Sequence, residues 1–288
     1  KRSRAPASAA HPPSARHPAR ARSTAQAVPP TTLTIEINPE FRRALDVMET
    51  TGRHIFITGK AGTGKSTLLD HFRNATLKRV AVLAPTGVAA LNVRGQTIHS
   101  FCRFKPGITL DKVKKLSGKG AALYKNLDAV IIDEISMVRA DLLDCVERFL
   151  GLNGPHPKKR FGGLQMIFIG DLYQLPPVVT SAERNVFSTQ YETPYFFSSR
   201  IFNEPGFDME FVELEKIYRQ TEEDFIRLLN VIRNRSVTDD DIGRLNRRCD
   251  AGFIPPDEDF YIHLTSTNDL AYMRNREKLA QLPGRTYR

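Results

Sequence analysis

Gly59-Lys60-Ala61-Gly62-Thr63-Gly64-Lys65-Ser66 fits the pattern GxxxxGK(S/T). It lies between the apolar run His54-Ile55-Phe56-Ile57-Thr58 and Ser66–Arg73, where Leu68, Leu69 and Phe72 recur at helical spacing. A buried strand, a glycine-rich turn and a helix in that order read as a phosphate-binding loop. The glycines let backbone N–H groups curl around a triphosphate, and the helix N-terminus adds positive potential. Lys65 is then the point charge for the terminal phosphates and the Ser66 hydroxyl a ligand for Mg²⁺. The candidate nucleotide contacts are Gly59, Ala61, Gly62, Thr63, Gly64, Lys65, Ser66 and Thr67. A plain glycine-rich turn is the competing reading, and the flanking strand and helix argue against it.

From Thr34 onward, apolar strands alternate with helices, the pattern of an α/β protein whose parallel sheet is covered on both faces. Strands are expected at Val80–Ala84, Ala129–Ile132 and Gln165–Ile169, each ending at a polar or glycine-containing turn. In such open sheets ligands bind outside the carboxyl ends of the strands, which makes each turn a functional candidate. Asp133-Glu134 directly follows the second of these strands. Asp133 suits the Mg²⁺ shell, and Glu134 suits the orientation and deprotonation of an attacking water. Gly170-Asp171-Leu172-Tyr173-Gln174-Leu175-Pro176-Pro177 follows the third; the Gln174 amide suits sensing of a γ-phosphate, and the prolines stiffen the loop. A helix over Arg139–Leu150 would bury Leu142, Leu143, Val146, Phe149 and Leu150.

The chain has 288 residues and a net charge of +10, placed unevenly. Residues 1–34 carry six Lys/Arg and no carboxylate, so a balance of +4 is left for the rest. That Ala/Pro/Ser/Arg-rich stretch is expected to be a disordered linker; an organellar transit peptide is the alternative, opposed by its six prolines. No apolar run reaches the length of a membrane span, and the three cysteines are scattered, which points to a reducing compartment with neither disulfide nor structural zinc. A second unit is expected from about Gly206, with helices over Phe225–Arg233, Ile242–Arg248 and Asn268–Leu279 and a strand at Phe260–Leu264. It would be about half a typical α/β domain, so the chain is expected to stop inside one. The organisation expected is therefore a basic tail at 1–34, a first domain at 35–205 and an incomplete second domain at 206–288.

Several further segments, taken with those above, resemble the PIF-type (petite integration frequency) DNA helicases, class B members of helicase superfamily 1 that move 5′ to 3′. They are Ala84-Pro85-Thr86-Gly87-Val88-Ala89-Ala90, Gly95-Gln96-Thr97-Ile98-His99-Ser100-Phe101, Asp133-Glu134-Ile135-Ser136-Met137, Phe161-Gly162-Gly163-Leu164-Gln165, the GDLYQLPPV stretch, and Ile217-Tyr218-Arg219-Gln220. DLYQLPPVV looks more like the bacterial members. The resemblance implies two RecA-like domains, ATP and Mg²⁺ as cofactors, and single-stranded DNA and duplex junctions as partners. It also implies a monomer on DNA, no membrane, and work in DNA repair, recombination or telomere maintenance. A bacterial member would work in the cytoplasm at the nucleoid, a eukaryotic one in mitochondrion or nucleus.

Residue by residue, Arg219 falls on an arginine finger, a group typically worth about 10³–10⁵ in rate. Pro85, Thr86, Gly87, His99, Ser100 and Phe101 fall on segments that hold single-stranded DNA across the first domain, and Thr265, Thr267 and Asn268 on their counterpart in the second. His99 and Phe101 each have a core reading as well, and for Phe101 it is the stronger. Asn38 and Phe41 stand where the family contacts adenine. Residues 102–126 would be a small insertion near the duplex junction; between Arg103 and Lys125 lie seven Lys/Arg against Asp111 alone. A non-unwinding, nucleotide-dependent DNA-binding fragment and a P-loop ATPase acting on protein partners are the rival functions. An intact Glu134 speaks against the first, and the PTG and TIHSF segments against the second.

Overall fold

The computed structural model describes residues 37–218, 223–247, 249–256 and 261–284. In chain order the elements are α1 (Pro39–Thr50), β1 (His54–Gly59), α2 (Lys65–Ala75), β2 (Val80–Ala84), α3 (Gly87–Asn92), β3 (Gln96–Thr97), α4 (Ile98–Cys102), α5 (Lys119–Lys125), β4 (Ala129–Ile132), α6 (Ala140–Asn153), β5 (Gln165–Ile169), α7 (Ser181–Ser188), β6 (Met209–Leu214), α8 (Glu223–Arg233), α9 (Asp239–Asn246) and α10 (Asn268–Gln281). All strand pairs are parallel, in the order β3-β2-β4-β5-β1-β6. Every carboxyl end therefore opens on the same edge of one sheet.

The pleat sorts the core into two layers. On one face Ile55, Ile57, Ile131, Ile167 and Ile169 pack with Phe41 and Met48 of α1 and with Leu68 and Phe72 of α2. On the other, Phe56, Val130, Ile132, Met166 and Phe168 pack with Val146, Phe149 and Leu150 of α6 and with Phe161 and Phe196. β4 and β5 are buried along their whole length, which is why their sequences are apolar runs and not alternations. A buried side chain of this size contributes about 1.5–3 kcal/mol, so the paired layers hold the edge where the motifs lie.

Phe161-Gly162-Gly163 owes its glycines to packing. Phe161 and Gly162 both take positive φ, 47° and 64°, and a Cβ on Gly162 would meet the Leu150 carbonyl oxygen of α6 at 2.2 Å. The motif seats the start of β5 against the end of α6.

The expected strands at 80–84, 129–132 and 165–169 are present with those bounds. Two expectations are corrected. The first sheet does not end near residue 205, because β6 pairs with β1 from His54↔Met209 to Gly59↔Leu214 and completes the sheet. The strand expected at Phe260–Leu264 is absent where described: residues 261–264 are irregular and exposed, and 257–260 lie outside the described residues. Apolar residues at alternate positions make a strand only where a partner supplies the ladder, and residues 261–264 pair with none of the described strands. The tail at 1–34 also lies outside the described residues. Among the described residues no helix is long and apolar enough to cross a membrane.

His54 begins β1 beneath Phe207, stacked at 5.2 Å between ring centroids, and its Nδ1 accepts the Met166 N–H at 3.0 Å. Burial, with the Arg160 charge, lowers its pKa to about 4. An unfolded histidine titrates near 6.5. The unfolded chain therefore binds more protons between those values, and His54 contributes stability that is present above about 6.5 and lost as pH falls toward 4. Urea unfolding of the parent and of His54→Asn over that range should show a steeper acid loss in the parent; equal slopes would refute the assignment.

Candidate nucleotide and DNA site

The site is built where β1 turns into α2. Gly59 leaves the strand at φ 150°, and a Cβ there would meet the Leu214 carbonyl oxygen at 2.5 Å and Thr63 Oγ1 at 2.6 Å. Gly64, at φ 91° and ψ 16°, is the left-handed cap from which α2 starts. Only glycine takes both conformations without strain. Thr63 is buried and its hydroxyl donates to the Lys60 carbonyl at 2.9 Å, which closes the loop on itself. The Lys65 ammonium donates to the carbonyls of Gly59 at 2.6 Å and Lys60 at 3.0 Å and so lies across the loop mouth. Ala61, Ser66 and Thr67 are exposed at its rim.

β5 lies between β1 and β4, so its end separates the loop from the acidic pair. Asp133 N–H donates to the Leu83 carbonyl at 2.9 Å, extending the β2–β4 ladder, and Glu134 then turns left-handed at φ 51°. A non-glycine residue held there costs on the order of 1–3 kcal/mol, and the packing next to it holds the turn. That packing runs through Gly170, where a Cβ would sit 2.9 Å from Ile135 Cγ2 and 3.2 Å from the Ser136 nitrogen. The acidic turn and the GDLYQLPP loop thus lock together through a missing side chain.

Charge is concentrated at this edge. Burial, then the neighbouring Glu134, raises the Asp133 pKa to about 6. Burial also lowers Lys65 against the opposing pull of Asp171, Glu134 and Asp133, with Arg233 adding to the decrease. One cation thus feels three carboxylates. Glycine amides at a helix N-terminus, a lysine across the loop and hard oxygen donors in Ser66 and Asp133 fit a triphosphate with Mg²⁺, which favours oxygen ligands supplied largely by phosphate and water. Such a bound ion would be held by Ser66 and Asp133 and would supply charge neutralisation.

Other candidates are placed differently. The Asn38 Oδ1 accepts Phe41 N–H at 2.8 Å as the cap of α1, and Phe41 is 2% exposed, edge-on to His71 at 6.4 Å. Phe41 is core, which corrects its reading as an adenine contact, while Asn38 caps the helix through its amide oxygen and keeps its amide N–H donors. Gln174 is exposed, and its amide Nε2 donates to Asp171 Oδ2 at 3.2 Å. Arg219 and Gln220 lie outside the described residues, although Tyr218 N–H donates to the Gly62 carbonyl at 2.8 Å, so the chain just before Arg219 runs over the loop.

The two turns expected to hold DNA leave the adjoining strands β2 and β3. Thr86 caps α3 by accepting Ala89 N–H at 3.2 Å, beside a half-buried Pro85 and an exposed Gly87. Thr97 caps α4 by accepting Ser100 N–H at 3.1 Å; Ser100 is exposed, and His99 is half-buried, edge-on to Phe104 at 6.4 Å. Phe101 is 3% exposed and packs on Tyr124, whose hydroxyl donates to the Phe101 carbonyl at 2.6 Å. Its assignment as a DNA contact is corrected: it is core. Thr265, Thr267 and Asn268 are exposed on a turn of their own, where Thr267 caps α10. In the insertion, Arg103, Lys105, Lys112, Lys114, Lys115 and Lys125 are exposed while Val113 is buried beneath them.

The residue missed from sequence is Arg233, in the last turn of α8. Its guanidinium is paired with Asp171 at 2.5 Å and lies 4.1 Å from the Tyr173 ring centroid. A helix-terminal arginine carries no sequence signal of a distant buried partner. Asp171 is 1% exposed, and breaking a buried pair typically costs about 3–5 kcal/mol.

The PIF1-like helicase model matches residues 33–241. The ATP-dependent DNA helicase PIF1 of Saccharomyces cerevisiae is 35% identical over 249 residues, covering 82% of this chain and 27% of the relative; that of Danio rerio is 34% identical over 237 residues, covering 81% and 35%. Among solved structures, the Pif1 helicase from Bacteroides in complex with ADP-AlF3 and single-stranded DNA superposes with a TM-score of 0.78 at 36% identity, covering 86% of this chain and 58% of that one. A structure described as two coordinating Pif1 helicases at forked double-stranded DNA gives 0.72 at 37% identity, covering 84% and 57%. The chain thus spans about a third or less of the curated relatives' length and somewhat over half of the solved chains. Its α/β fold is the RecA-like P-loop fold of those structures, and the chain belongs to the PIF1-like helicase family.

Proposed function

We propose that this chain binds ATP with Mg²⁺ and hydrolyses it under the control of single-stranded DNA, as the nucleotide-binding part of a 5′-to-3′ DNA helicase. The observation that carries the reading is the meeting of three strand-end motifs at one sheet edge, with the electrostatics of Lys65, Asp133, Glu134 and Asp171 coupled. The relatives named as helicases, and the one solved with nucleotide and single-stranded DNA, support it.

In this reading the amides of residues 61–66 hold the phosphates, and Lys65 leaves its carbonyls to neutralise the terminal ones. Ser66 and Asp133 would hold the metal, which would supply Lewis-acid stabilisation. Glu134 takes the proton of the attacking water, Gln174 contacts the γ-phosphate, and Arg219 acts as the finger. Thr86, His99 and Ser100 hold DNA phosphates beside the basic insertion, with Thr265, Thr267 and Asn268 extending the track in a second RecA-like domain that follows β6. A single chain is the unit that tracks a strand; the relative described as two coordinating helicases makes a second copy at a fork the rival. Backbone grip through hydroxyls and amides holds DNA without reading its bases.

Lys65→Ala should abolish DNA-stimulated ATP turnover and leave the fold intact, as checked by phosphate release and circular dichroism. Turnover within twofold of the parent would end the P-loop assignment. Glu134→Gln keeps the side-chain shape and removes the base, so hydrolysis should slow by about 10²–10⁴ while ATP stays bound. A sharp fall in nucleotide affinity would instead assign Glu134 to the metal. Single-strand binding should weaken with salt at a log–log slope of about −0.7 per phosphate contacted and vary little with base sequence. Loss of all salt-dependent binding on deleting residues 1–34 would place the DNA site in the tail, outside the channel at Thr86 and His99.

A further inference from the structure

The GDLYQLPP loop carries a buried ion pair that the nucleotide chemistry above does not require. Asp171 is 1% exposed and the Arg233 side chain 16%, with the guanidinium 2.5 Å from Asp171 Oδ2. The same oxygen accepts Gln174 Nε2 at 3.2 Å; the other, Oδ1, accepts Tyr173 N–H at 3.1 Å; and Gln174 N–H donates to the Asp171 carbonyl at 2.9 Å. The guanidinium also lies on the Tyr173 ring, 4.1 Å from its centroid. One arginine, arriving from α8 after the six-stranded sheet is complete, therefore touches two residues of the loop and shares an acceptor with a third.

We infer that Arg233 is a positioning residue for ATP turnover: by pairing with Asp171 and lying over the Tyr173 ring it fixes the loop that carries Gln174. This rests on the ATPase reading above. The physical reason is a competition for charge. Asp171 is the strongest carboxylate influence on Lys65. Burial alone would raise the Asp171 pKa, and the hydrogen bonds from Arg233, Tyr173 N–H and Gln174 outweigh it to keep the carboxylate ionised. Without Arg233, a buried anion loses its cation and either takes a proton or turns toward Lys65. The first outcome loosens the anchor of Gln174, and the second draws Lys65 away from the phosphates. Because the guanidinium meets the Tyr173 ring and the Asp171 carboxylate at once, lysine is only a partial substitute.

The test is steady-state ATP hydrolysis by the parent, Lys65→Ala, Arg233→Gln, Arg233→Lys and Gln174→Ala, each normalised to the folded fraction by titration with a fluorescent ATP analogue. Arg233→Gln should lower kcat by about tenfold or more with KM within about threefold, and Arg233→Lys should fall between it and the parent. Gln174→Ala leaves the ion pair intact on an exposed side chain, and should reproduce the loss in kcat even if the Arg233 variants fail to fold. An active parent whose kcat survives Arg233→Gln within twofold overturns this inference alone, as does equal loss in Arg233→Lys and Arg233→Gln; a kcat that survives Gln174→Ala overturns it together with the γ-phosphate contact given to Gln174 above. A parent with no Lys65-dependent turnover overturns the ATPase reading and this inference with it.

Discussion

The backbone approach at Gly59 is the constraint on which the rest of the site depends, because it brings the end of β1 within reach of both Leu214 and Thr63 with no room for a Cβ. From that turn follows the left-handed cap at Gly64, the direction of α2 and the placing of Lys65 across the loop. The turn is held from both sides of the strand. β5 brings the GDLYQLPP loop and, through Gly170, the acidic turn; β6 brings the segment whose Tyr218 N–H bonds the Gly62 carbonyl. A parallel sheet with six strand ends on one edge is what makes such convergence available.

Charge balance at that edge explains why residues on separate strands act together. Asp133, Glu134 and Asp171 all act electrostatically on one ammonium, and Arg233 offsets one of the carboxylates from α8. Burial at this edge alters protonation and the neighbouring charges adjust it: the Asp133 pKa is raised to about 6 by burial first and the Glu134 charge second, with Lys65 pulling the other way. The same edge carries the capped turns at Thr86 and Thr97 from β2 and β3, so nucleotide and DNA candidates are neighbours in a single layer of loops.

Much of this was legible because each central strand is a short apolar run ended by a motif, a pattern that survives without tertiary information. What was not legible has specific causes. β6 reads Met209-Glu210-Phe211-Val212-Glu213-Leu214, which has no polar/apolar alternation: Glu210 shares the inner face with Val212 and Leu214, where it pairs with Arg43 and Arg53, while Phe211 is exposed on the outer face with Glu213. Only its pairing with β1 shows where it belongs. Phe41 and Phe101 border functional motifs in sequence yet face the core, since proximity along the chain does not decide which side of a helix is buried. Arg233 escaped notice because its partner lies 62 residues away. The cap at Asn38, by contrast, was legible in Asn38-Pro39-Glu40, an N-cap residue followed by proline and an acid in the first turn.

The central claim is that the turn from β1 into α2 holds the phosphates of a nucleotide. Amide hydrogen exchange of the chain with and without ATP and Mg²⁺ tests it directly, because the backbone N–H groups are the proposed ligands. The account predicts that saturating nucleotide slows exchange most strongly over residues 59–67, with smaller protection at 133–136 and 170–175. Protection concentrated elsewhere, such as the opposite edge of the sheet around Lys78 and Arg79, with exchange at 59–67 unchanged, would contradict it.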